Sequence, residues 1–153
     1  MKASLASTFA TFLAVAATGV VAAAPPANPA PPSSGTSRAW KISLFDAQHH
    51  AVGTIQLHFT SQRGQSCLAS FGKDALLLVI DRIDDVPPQL RIAPTAAAKI
   101  EGDTISIDLT SGTCDAYVLL EGKTSQNGGA TGDINTLSLG GARNFGTFVA
   151  TVP

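Results

Sequence analysis

From Trp40 onward, hydrophobic and polar residues alternate singly along most of this chain. In AWKISLF, Trp40, Ile42 and Leu44 fall on one face and Lys41 and Ser43 on the other. In AVGTIQLHFT, Ile55, Leu57 and Phe59 oppose Thr54, Gln56 and His58, and in TISIDLT, Ile105, Ile107 and Leu109 oppose Ser106 and Asp108. A period of two places successive side chains on opposite sides of an extended backbone, so these segments predict half-buried strands of an antiparallel sheet.

Six further segments predict shorter strands: SCLASF (66–71), LLLVIDR (76–82), LRIA (90–93), AYVLLEG (116–122), INTLSL (134–139) and GTFVATV (146–152). Gly, Pro, Asn and Asp cluster between them in AQHHA, SQRGQ, DDVPPQ, EGD, SGT, QNGGATGD and GGARN, which is the chemistry of turns. The pattern describes an all-β domain, a small antiparallel meander of nine strands that either closes as a barrel or folds as a two-sheet sandwich. One segment departs from alternation: Leu76 to Ile80 is apolar at every position, so a strand there needs cover on both faces. A short helical turn over 94–99, PTAAAK, or a second copy of the chain docking on 76–80 would supply that cover.

Everything before Arg38 reads differently. Residues 1–24 combine Lys2, an uncharged and mostly apolar run from Phe9 to Val21, and Ala22 to Ala24, the layout of a secretory signal peptide too weakly apolar for a membrane span. Residues 25–37 carry five prolines and no charge or apolar periodicity, predicting an extended polyproline-type tether. Residues 38–153 then form the single β domain. A secreted or periplasmic destination follows from the leader.

That compartment gives meaning to the cysteines. Cys67 and Cys114 are the only two in the chain, and in an oxidising environment they predict one disulfide, which across 47 residues stabilises the fold by about 4 kcal/mol on the loop-entropy model. Charge is nearly balanced: of ten Lys and Arg, nine remain once Lys2 is set aside, against eleven Asp and Glu. No basic stripe is available to neutralise phosphates or anionic lipid, so the composition argues against nucleic-acid and membrane-surface partners.

Motifs for chemistry are sparse. His49 and His50 are adjacent, and eight residues of strand would hold His50 and His58 about 27 Å apart, so no metal site is predicted from them. Asp81, Asp84 and Asp85, and separately Asp103, Asp108 and Asp115, read as solvated carboxylates of turns and outer faces. No G-x-S-x-G elbow marks a nucleophile, and no helix pattern follows QNGGATGD or LGGARNFG as a phosphate cradle requires. No catalytic residue and no cofactor are predicted. Trp40, ahead of Ile42 and Leu44 on the inward face, resembles the tryptophan that begins the barrel in lipocalin and avidin-like proteins, with Arg38 where those families usually show glycine.

The functional expectation is an exported binding module rather than an enzyme, acting through its loops on another protein, as an inhibitor for example. DDVPPQLRIAPT is the favoured contact: Pro87 and Pro88 restrict it, so it loses less entropy on binding, and Leu90 and Arg91 are the residues expected to enter a partner's pocket. A carrier of a small apolar ligand inside the barrel is the first alternative, and a hydrolytic enzyme with an unrecognised site the second.

Overall fold

The computed structural model describes residues 38–153; the expected signal peptide and tether lie outside the described residues. Eight strands follow one another in chain order: β1 (Ala39–Asp46), β2 (Ala51–Arg63), β3 (Leu76–Asp84), β4 (Thr95–Glu101), β5 (Thr104–Asp108), β6 (Ala116–Thr124), β7 (Ala130–Ser138) and β8 (Gly141–Thr151). Each pairs antiparallel with the next, and β1 also pairs with β8 from Lys41↔Thr151 to Asp46↔Gly146, so the meander closes into a barrel. Closure decides against a sandwich. No helix among the described residues is long and apolar enough to cross a membrane.

Register carries the alternating residues inward together. Trp40 faces Leu57 and Ile42 faces Ile55 across β1 and β2, while Ile107 faces Leu120 across β5 and β6. Leu44 faces Phe148 where β1 meets β8. These side chains, with Leu78, Ile105, Leu109 and Ile134, are almost completely buried and form one cluster inside the barrel. An eight-stranded barrel is just wide enough for such a filling, and each large aliphatic group contributes about 1.5–3 kcal/mol by leaving water. Trp40 is part of this core and meets Phe59 edge to face at 5.1 Å. Between β6 and β7, Gly122 faces Gly132, and a Cβ on either would overlap the opposing backbone.

Three sequence expectations are corrected. Segment 66–71 is not a strand; it holds a single 3-10 turn at Ala69–Phe71, within a 64–75 strap that leaves the sheet after β2 and returns at β3. Segment 90–93 is not a strand either: it lies in the connection between β3 and β4, with Leu90 buried in the main core. Residues 94–99 form no helical turn: Thr95 onward is β4, bonded to β3 on one side and β5 on the other. Alanine favours helix locally, but two open strand edges offer this run a full set of backbone partners, and Ala96 and Ala98 fit the barrel interior.

The strap makes a second, smaller apolar cluster on the outer wall. Phe71 and Ala75 pack with Ala97 of β4 and Leu119 of β6, flanked by Leu68, Tyr117 and Leu137. The Cys67–Cys114 disulfide fastens the strap to the β5–β6 connection, with the Cα atoms 5.3 Å apart. Beneath it lies Asp108, which faces out of the barrel as the alternation implies but is fully buried rather than solvated. Its Oδ2 accepts from Ser66 Oγ at 2.6 Å, and its Oδ1 accepts from Thr110 N at 2.9 Å and Thr110 Oγ1 at 2.7 Å.

Candidate binding surface

In a closed meander, connections that follow odd-numbered strands gather at one barrel end. Here these are residues 47–50, 85–94, 109–115 and 139–140, while Arg38 and the final residues belong to the opposite end.

The 85–94 connection is held in place along its length. It starts at Asp85, which adopts the left-handed conformation (φ 55°). Leu90 N donates to Pro87 O at 2.9 Å, Ala93 N to Leu109 O at 2.8 Å, and Ile80 N to Pro94 O at 3.0 Å. Leu90 itself is turned into the barrel, 3% exposed, packed with the main core beside Val86 and Ile92. Leu90, expected together with Arg91 to enter a partner's pocket, therefore plugs its own barrel, because the interior offers a nearer apolar refuge. Pro87 is half-buried, and Pro88, Gln89 and Arg91 stand exposed.

Across the same end rises the β7–β8 hairpin. β7 and β8 stay paired out to Ser138↔Gly141, whereas β1 leaves β8 at Gly146, so residues 141–145 pair with β7 alone. Leu137 secures the hairpin from outside by packing into the strap cluster. At its tip Leu139 is 101% exposed, in a turn position that usually favours Asn, Asp or Gly. Sequence reasoning assigned Leu139 to a strand and missed it; a leucine directly before Gly140 and Gly141 was the available signal.

The β1–β2 turn is ordered by Asp46, whose Oδ1 accepts from Gln48 N and His50 N, both at 2.9 Å. The bond from His50 N–H is the main reason this carboxyl lies below the usual range, against a smaller opposing effect of burial. His49 takes φ 63°, and His50 Nδ1 lies 3.3 Å from Asp46 Oδ2. His58 sits elsewhere, on the outer wall, with Nδ1 2.9 Å from Asp81 Oδ1. Asp84 pairs with Arg82, and Asp103 with Lys123. The described residues contain no group of three His, Cys, Asp or Glu side chains placed to hold a metal ion.

Comparison with known proteins yields no match, whether to family models, curated proteins or solved structures.

Proposed function

We propose that this chain is an exported binding module that engages another protein through the loops at the odd-numbered end of its barrel, blocking that partner as an inhibitor does. The observation that carries this reading is the burial of Leu90: by anchoring the 85–94 connection in the core, it holds Pro88, Gln89 and Arg91 in one arrangement before any partner arrives. A preordered loop loses less entropy on association, which leaves more of its contact energy as affinity. Leu139 adds a fully solvated apolar group at the same end, whose removal from water against a partner would contribute to binding. A disulfide-braced domain also suits an oxidising compartment outside the cytoplasm. The reading of a carrier for a small apolar ligand would need interior space that Ile42, Leu57, Ile107 and Phe148 occupy.

The test uses a partner isolated from the extracellular or periplasmic milieu and a surface-binding assay. Arg91→Ala and Leu139→Ser are each expected to weaken binding about tenfold, as interface anchors do. Unchanged affinity in both variants, with the fold intact by circular dichroism, would overturn the reading.

A further inference from the structure

An open depression of about 490 Å³ lies between the strap and the β5–β6 connection, bordered by Arg63 and Gly64 at the end of β2, Cys67, Gly72 and Lys73 on the strap, and Gly112. Its chemistry is one-sided. Arg63 and Lys73 form no ion pair among the described residues, although Lys99, Lys123 and Arg82 each have a carboxylate partner. No carboxylate lines the depression itself: Asp74, next to Lys73 in the chain, is exposed and outside the lining, and Asp108 is fully buried and turned to Ser66 and Thr110.

The backbone adds donors and no competing side chains. Gly72 (φ 60°, ψ −155°) and Gly112 (φ 86°) hold conformations that suit glycine, and at both the space a Cβ would enter is open. At Gly64 a side chain would run into the Leu76 carbonyl. The N–H groups of Gly64 and Gly72 are taken by Ala75 O and Ala69 O. Those of Gln65, Cys67, Lys73 and Gly112, by contrast, have no acceptor among the described residues. Two cationic residues and several residues whose N–H groups have no acceptor thus border one concavity, the donor set from which backbone nests and basic side chains hold an anion.

From this arrangement we propose that the depression is a binding site for a tetrahedral oxyanion, phosphate or sulfate, free or as an ester. A group with three or four oxygens can accept from Arg63, Lys73 and the backbone together, which a planar carboxylate with two oxygens does less completely. The Cys67–Cys114 disulfide holds the Cys67 and Gly112 sides of the site together. This site does not depend on the protein-partner reading.

The experiment is a titration of the ¹⁵N-labelled, oxidised full chain with sodium phosphate and with sodium sulfate, each against sodium chloride at equal ionic strength. Saturable shifts confined to the amides of Gln65, Cys67, Lys73 and Gly112 are expected, with a dissociation constant on the order of millimolar. The double variant Arg63→Gln/Lys73→Gln should weaken binding about tenfold or more without disturbing the remaining spectrum, and Arg63→Lys should retain most of it. Glucose 6-phosphate, glucose 6-sulfate and O-phosphoserine form the next arms, and tighter binding of one of them names the source of the oxyanion. Shifts that match those of chloride, that fail to saturate, or that persist unchanged in the double variant would overturn the proposal.

Discussion

Two apolar clusters hold this domain, and they are built in opposite ways. Inside the barrel, every second residue of β1, β2, β5 and β6 turns inward because of backbone geometry alone, and closure seals them from water. Outside, Phe71, Ala75, Ala97 and Leu119 meet only because a strap with little regular structure is drawn across β4 and β6. The inner cluster needs no special fastening. The outer one uses a disulfide, the Ser66–Asp108 bond and the donation of Lys99 Nζ to Ser70 O. A short irregular segment buries too little apolar surface to offset its ordering entropy, so directional and covalent links supply the remainder.

Breaking the inner cluster should have the largest effect. Phe148→Ala removes a ring that is 1% exposed, and a loss of about 3–5 kcal/mol is expected in urea unfolding, seen as a lower midpoint at unchanged slope. A loss below about 1 kcal/mol would mean that the barrel can collapse around the void.

Cutting the covalent link comes next. Cys67→Ser with Cys114→Ser releases a 47-residue loop and should cost about 2–4 kcal/mol. Hydrogen exchange distinguishes the two regions: amides of 64–75 should lose protection while those of β1 and β2 in the variant remain the slowest to exchange. Equal loss across the barrel would show that strap and core unfold as one unit.

Asp108→Ala tests the polar latch alone. It leaves Ser66 Oγ and the Thr110 donors without their acceptor in a buried place, with an expected cost of about 1–3 kcal/mol and greater mobility of the strap. No change in strap exchange would remove Asp108 from the account of how the outer cluster is held.

The smallest effect concerns groups that belong to neither cluster. Asp46 and Asp103 both have carboxyls held below the ordinary value, Asp46 chiefly by the His50 N–H and Asp103 chiefly by the Lys123 ammonium. A lowered folded-state pKa contributes stability that is fully present above the unfolded value and is lost as pH falls through the folded one. The two turns should therefore be unaffected at neutral pH and loosen only below about pH 4. The amides of Gln48 and His50, followed by NMR during acid titration, check this; a transition near neutral pH would contradict it.

Alternation along the chain by itself determined the strands that matter most. Trp40, Ile42 and Leu44, then Ile55 and Leu57, then Ile105, Ile107 and Leu109 were legible as inward faces because side-chain direction in a strand is a local property. The cysteine pair was legible from its even count together with the expectation of export. Tertiary structure alone decided closure of β1 on β8, the strand conformation of 95–101, the strap, the burial of Asp108 and the inward turn of Leu90. It also placed Leu139 at a hairpin tip rather than within a strand. Each of these depends on which distant segment comes to lie beside a residue. A residue's own neighbours in the chain record the direction of its side chain but not what will cover it.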